Sequence, residues 1–244
     1  GFERIFIETT GLADPAPIVF TILNNPILQN HFEIELILTT VDVKNALLQF
    51  KNSPEFVKQV SVSDNIIITK ADLVSKDEKE EVIYQVKRIH PAVKIFEAFN
   101  GVVDLGVLEK NVGYHAENVD NIPQNIDEKG AAARVKSISF YFTEELDWTA
   151  FTLWLSLLLH AHGENVLRVK GILDVGEEAP VNINGVQHII HPPNHLDKWP
   201  EDVDKSFLVF IVKDIDPLTI LHSLETFQHY IGSDVELMEL KDIG

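Results

Sequence analysis

No cysteine occurs in the 244 residues, and methionine occurs once, at Met238. Without thiols the chain has no disulfide framework, no cysteine nucleophile and no thiolate metal site of its own. Basic residues are scarce: 20 Lys and Arg stand against 38 Asp and Glu, for a formal net charge of −18. Nucleic-acid phosphates and anionic membrane surfaces both call for clustered Lys and Arg, so neither is an expected partner. The longest apolar stretch, residues 151–159, falls far short of the roughly twenty residues that a membrane-spanning helix needs. No leader-like segment is evident, and with the missing cysteines this makes the cytoplasm the expected location. A glycine-rich phosphate loop of the form G-x-x-x-x-G-K-[ST] is absent as well. Gly101 with Gly106 and Gly171 with Gly176 have its glycine spacing, but Val107-Leu108 and Glu177-Glu178 follow where Lys and Ser/Thr belong.

What is present is a globular composition, 45% hydrophobic and 24% charged, long enough for one large domain or two ordinary ones. The front of the chain reads Arg4-Ile5-Phe6-Ile7-Glu8-Thr9-Thr10-Gly11-Leu12-Ala13-Asp14-Pro15. Ile5-Phe6-Ile7 predicts a buried strand that delivers Glu8, two threonines and Gly11 to its carboxyl end, where open α/β sheets bind ligands. Asp14-Pro15 predicts a helix start, the carboxylate capping open amides and proline occupying the first turn. In a nucleotide hydrolase a strand-end carboxylate holds Mg²⁺ through water, and a glycine N–H approaches the terminal phosphate. Glu8 and Gly11 are the candidates for those two roles; the competing reading is an ordinary βα turn.

A second apolar strand, Asn65-Ile66-Ile67-Ile68, runs into Thr69-Lys70-Ala71-Asp72. That is the pattern by which GTPases read guanine. The aspartate accepts from the ring N–H and the exocyclic amine, and the lysine stem packs along the base plane.

With these two stretches on the page, the chain resembles the CobW family of GTPases, whose members are linked to metal delivery. Glu8-Thr9-Thr10-Gly11 is similar to the family's Mg²⁺ and γ-phosphate segment, and Thr69-Lys70-Ala71-Asp72 to its guanine-reading segment. Leu167-Arg168-Val169-Lys170-Gly171-Ile172-Leu173, Gly185-Val186-Gln187-His188 and Trp199-Pro200 resemble its C-terminal domain. The resemblance implies GTP and Mg²⁺ as ligands, and a metal-requiring client protein as partner. It implies backbone contacts to the base from Ala98 and Asn100. Zinc or cobalt would be bound through a Cys-x-Cys-Cys motif that the family carries upstream of the Glu-Thr-Thr-Gly segment and this sequence lacks. The missing phosphate loop, missing cysteine motif and non-methionine start imply a C-terminal fragment, inactive by itself. A natural protein that has shed the loop is the alternative. The second reading, from a different class, is a non-enzymatic interaction module acting through its C-terminal domain.

The remaining pattern predicts an α/β fold: a partial P-loop-GTPase-type parallel sheet with helices on both faces, then a smaller α+β domain. Strands are expected at residues 34–41, 65–69 and 93–98. Helices are expected after Asp14, after Asp42, over 56–62, and from the Ser75-x-x-Glu78 capping box to Ile89. Residues 113–133, polar and aperiodic, read as a linker between domains at 1–112 and 134–244. In the second domain, strands are expected at 135–142, 166–175, 186–191 and 207–212, with helices at 147–160 and 217–231. Five histidines lie between His160 and His195, but none has metal-ligand spacing, so packed or exposed histidines are the expectation. Gly171 inside a strand predicts a bulge or a close approach of another backbone, and Arg168 and Lys170 an interdomain or structural contact.

Overall fold

Side-chain caps set most of the helix starts in the first half of the chain, those at Asp14, Asp42 and Ser75 where the sequence places them and those at Asn25 and Ser53 without such an expectation. The computed structural model describes residues 3–109, 130–200, 203, 205–231 and 237–242. Asp14 Oδ1 accepts from the Ala16 N–H at 3.0 Å ahead of α1 (Ala16–Asn24). Asn25 then caps the short α2 (Pro26–Gln29). Asp42 both closes β1 (Leu38–Asp42) and caps α3 (Val43–Asn52), accepting from the Lys44 N–H at 3.1 Å. Ser53 caps α4 (Pro54–Val62), β2 (Asn65–Thr69) follows, and the Ser75/Glu78 capping box opens α5 (Lys76–Ile89) ahead of β3 (Lys94–Glu97).

The three strands form a parallel sheet in the order β1-β2-β3. Parallel strands need crossover connections, which α3 with α4 and then α5 supply. Val41, Ile66 and Ile68 from the strands pack with Ala46, Phe50, Val57, Val60, Val82, Val86 and Ile89 from the helices in one buried cluster. Large aliphatic side chains of this kind contribute about 1.5–3 kcal/mol each when fully buried.

The strand predicted at Ile5-Phe6-Ile7 does not form. Residues 4–10 have no assigned helix or strand, and Ile5, Phe6 and Ile7 are 54%, 74% and 60% exposed. An apolar run specifies burial but not a pairing partner. Among the described residues β1 pairs with β2 alone, and no strand lies on its other edge. The strand expected at 34–41 is correspondingly shorter and begins at Leu38.

The second half forms a seven-stranded antiparallel sheet from β4 (Val135–Phe142), β5 (Val166–Leu173), β6 (Val181–Val186), β7 (Ile189–Ile190), β8 (Asn194–His195), β9 (Ser206–Lys213) and β10 (Leu237–Asp242). Its order is β10-β4-β9-β5-β6-β7, with β8 paired to β6. Asp147 accepts from the Ala150 N–H at 2.8 Å and starts α6 (Trp148–His162), which packs on α7 (Pro217–Ile231). Phe140 and Phe210 of the sheet meet Phe151 and Trp154 of α6 in the largest buried cluster. The strand expected at 186–191 is instead a hairpin: β6 ends at Val186, Gln187 turns at φ 54°, and β7 begins at Ile189.

Most of the segment expected as a linker lies outside the described residues. Its end, residues 130–133, is not loose. The Ala131 N–H donates to the Lys51 carbonyl at 3.0 Å, and Ala132 is buried in the cluster beneath the parallel sheet.

Candidate functional site

Parallel register aligns the carboxyl ends of all three strands at one edge of the sheet. Asp42 stands opposite Thr69, and Ile68 opposite Glu97. The loops after β2 and β3 are therefore neighbours, which is where a doubly wound sheet places its ligands.

At the end of β2 the Thr69 hydroxyl donates to the Val41 carbonyl at 3.3 Å, tying the loop to β1. Lys70 then takes up φ 59° and ψ 27°, a left-handed conformation uncommon for a residue with a Cβ and concentrated at functional turns. Its ammonium donates to Asp42 Oδ2 at 2.7 Å. The Asp42 carboxylate also accepts from the Asn45 side chain and the Lys44 N–H. Burial raises the Asp42 pKa, but the hydrogen bonds from Lys70 and Asn45, with the Lys70 charge, outweigh it and hold the carboxyl below its usual range. Asp72 follows in a 3-10 turn, Ala71–Leu73, with its carboxylate exposed. After β3 the Ala98 N–H donates to the Ile68 carbonyl at 2.8 Å, and Phe99 and Val102 bridge a tight turn. Asn100 and Gly101, at φ 50° and 79°, form the tip of that turn. Two consecutive left-handed residues suit Asn-Gly, the pair most tolerant of that geometry.

Thr69, Lys70, Asp72, Ala98 and Asn100 are thus brought to one edge. Glu8 and Gly11 are not brought to it. The Gly11 and Ala13 carbonyls accept from Gln59 Nε2 at 3.1 and 2.8 Å, and Gln59 lies on the last turn of α4. That turn leads into the amino end of β2, opposite the Lys70 loop. Asp14 pairs with Lys58 on the same helix, while Glu8 is exposed in the unpaired segment. Asp42, ahead of the helix expected after it, caps that helix and clamps Lys70 too. The signal for the second role was its position at a strand end in parallel with Thr69.

A lone carboxylate such as Glu8 matches the way Mg²⁺ is often held, through one carboxylate, waters and substrate phosphates. The described residues do not suit zinc in the same way, because no group of three or more His, Asp or Glu among them could hold a metal ion. His160 and His162 close α6, and His195 contacts Glu177 at 2.9 Å.

Comparison with known proteins bears on both halves of the chain. A profile described as the CobW/HypB/UreG nucleotide-binding domain matches residues 1–97, and one described as the cobalamin synthesis protein cobW C-terminal domain matches residues 135–228. The chain belongs to the CobW family. Relatives within or near that family include a zinc chaperone, YjiA of Escherichia coli (strain K12), 27% identical over 213 residues that make up 86% of this chain and 66% of the relative. Another is a zinc-regulated GTPase metalloprotein activator 1 of Schizosaccharomyces pombe, 30% identical over 258 residues, covering 90% of this chain and 60% of the relative. This CobW-family chain therefore spans 66% and 60% of the lengths of those two relatives. The crystal structure of Zn(II)-bound YjiA GTPase from E. coli superposes with a TM-score of 0.69 at 24% identity, over 89% of this chain and 68% of that one. It has the same fold: a parallel α/β sheet followed by an antiparallel sheet domain.

Proposed function

We propose that this chain supplies the guanine-reading edge and the C-terminal domain of a GTPase that couples nucleotide state to delivery of a metal to a client protein. The observation that carries this reading is the alignment of the Lys70-Asp72 turn with the Ala98-Asn100 turn at the carboxyl edge of three parallel strands. Relatives named zinc chaperone and metalloprotein activator support metal delivery as the purpose.

In this reading Asp72, exposed and acceptor-only, takes the guanine ring N–H and exocyclic amine. The Lys70 stem lies along the base while Asp42 holds its ammonium. Thr69 fixes the turn to β1, and the backbone at Ala98 and Asn100 completes the base pocket. Glu8 serves Mg²⁺ through water and Gly11 offers its N–H to the γ-phosphate. Both roles require the exposed front segment to move from the Gln59 contact to the Lys70 edge. The nucleotide-binding part is residues 1–112, the C-terminal part 134–244, and residues 113–133 join them. Zinc or cobalt is cargo, held by cysteines that this sequence does not contain, and no zinc step is assigned to its own residues. Phosphoryl transfer rests on positioning and charge stabilisation, so the sequence as it stands, with no phosphate loop, does not hydrolyse GTP.

Titration of the ¹⁵N-labelled chain with GDP, ADP and XDP tests the base-reading edge. The amides of residues 69–72 and 98–100 shift with GDP in preference to ADP. A mismatched buried polar pair costs about 1–3 kcal/mol, so Asp72→Asn weakens GDP by roughly tenfold while favouring XDP. Equal responses to GDP and ADP, or an unchanged preference in Asp72→Asn, would overturn the assignment. Phosphate release from GTP by the pure chain, lost on Glu8→Ala, would overturn the stated lack of activity.

A further inference from the structure

Arg168 lies in the middle of β5, in the seven-stranded sheet, yet its hydrogen bonds cross to the other half of the chain. Nη1 donates to the Val62 carbonyl at 3.0 Å, at the last residue of α4, and Nη2 pairs with Asp64 just before β2. The side chains of the pair are 2% and 12% exposed. Asp64 is itself fixed: its other oxygen accepts from the Ile37 N–H at 2.9 Å, and its own N–H donates to the Ile37 carbonyl at 2.8 Å. One guanidinium thus grips the carbonyl end of a helix, where the helix dipole favours a cation, and the carboxylate that leads into the central strand.

Around the pair the chain concentrates positive charge that its overall composition makes scarce. Lys170 sits two residues along β5, and burial lowers its pKa to about 8, with Asp64 opposing and Arg168 and Lys94 adding to the effect. His90, just past the end of α5, is 4% exposed and is held uncharged there by burial and by the Arg168 and Lys170 charges. Desolvating charged groups is expensive, and a well-packed apolar contact would hold two sheets together at lower cost. What a forked ion pair adds is geometry: few relative placements of β5 and α4 satisfy both hydrogen bonds. Apolar contacts such as those among Ala16, Val62 and Val186 also join the two halves, and they are less specific in direction.

We propose that Arg168 is an interdomain clasp that fixes the orientation of the antiparallel sheet on the parallel sheet, and that its release is the movement by which the two domains change their relative position. The clasp engages the amino end of β2, whose other end carries Thr69 and Lys70. Displacement of the second domain therefore bears on the strand that presents that loop. This inference stands apart from the nucleotide reading and needs no nucleotide for its test.

The absence of native cysteine allows spin labels to be placed at Asp77→Cys on α5 and Glu225→Cys on α7, both exposed, without other changes. Pulsed dipolar spectroscopy on the full chain then reads the distance distribution between the domains. The unmodified clasp gives one narrow distribution. Arg168→Met, which keeps bulk and removes both hydrogen bonds, broadens it at least about twofold, as a freed rigid-body rotation requires. Asp64→Asn keeps an acceptor for the Ile37 N–H but drops the charge, and it broadens the distribution in the same sense should Arg168→Met fail to fold by near-ultraviolet circular dichroism. Phe140→Leu, a core change remote from the clasp, lowers stability without altering the distribution. Distributions for the folded clasp variants that superpose on the parent, or an equal broadening in Phe140→Leu, would overturn the proposal.

Discussion

Lowering the pH from 7.5 to 5 should weaken this protein through a single imidazole. His90 is buried, and neither ring nitrogen has a hydrogen-bond partner among the described residues. Burial first, then the positive charges of Arg168 and Lys170 and the smaller effect of Lys87, push its pKa from 6.5 to about 3, with Asp64 alone opposing. Between those two values the unfolded chain holds the proton and the native chain does not, so unfolding takes up a proton and stability rises with pH. The contribution is complete above about pH 6.5 and is lost as the pH falls toward 3. At 1.36 kcal/mol per pH unit the full loss is about 4–5 kcal/mol, of which about 2 kcal/mol is gone by pH 5. That is a large share of the roughly 5–15 kcal/mol that stabilises a typical domain. Urea unfolding at pH 7.5 and pH 5 for the parent and His90→Leu gives the measurement. The variant should lose about 2 kcal/mol less than the parent over that interval. An equal loss in both proteins would show that His90 accepts its proton without unfolding and would refute the reasoning.

The Cβ of an alanine at position 171 would lie 2.5 Å from the Phe207 carbonyl oxygen and 2.8 Å from Leu208 Cδ1, so Gly171→Ala must push β5 from β9. Its expected cost is about 2–3 kcal/mol in urea midpoint experiments, and a cost near zero would mean that the strands are not held so close. Asp147→Ala removes the acceptor for the Ala150 N–H and should cost about 1 kcal/mol, read as a lower melting temperature; Asp147→Asn, which still caps, should restore most of it.

Local chemistry was legible in this sequence wherever one residue answers one backbone need. Asp42, Ser75 with Glu78, and Asp147 cap the helices expected of them, and Gly171 meets the neighbouring strand that its place in an apolar run implied. The Lys70-Asp72 turn was expected from its place at the end of an apolar strand, and the Asn100 turn only through the family resemblance. Pairing was harder to read. Ile5-Phe6-Ile7 carries the composition of a buried strand, but a strand is defined by its neighbours, which a run of side chains does not specify. β6 was missed for a different reason: Val181 and Ile183 alternate with Asn182 and Asn184, a period-two signal in a segment whose asparagines also suggest turns. The clasp could be anticipated only as an interdomain contact at Arg168 and Lys170. Asp64 precedes an apolar strand and carries no sign of its partner 104 residues away.

The open edge of β1 bears on how this chain behaves in a tube. Among the described residues no strand pairs with its outer side, and the same molecule carries an exposed segment with Ile5, Phe6 and Ile7. Unpaired edges and apolar extended segments recruit each other between molecules, and the net charge of −18 opposes this only while salt leaves it unscreened. Handling at low ionic strength and low concentration therefore keeps copies apart. Raising the salt removes the repulsion while leaving the adhesive edge intact.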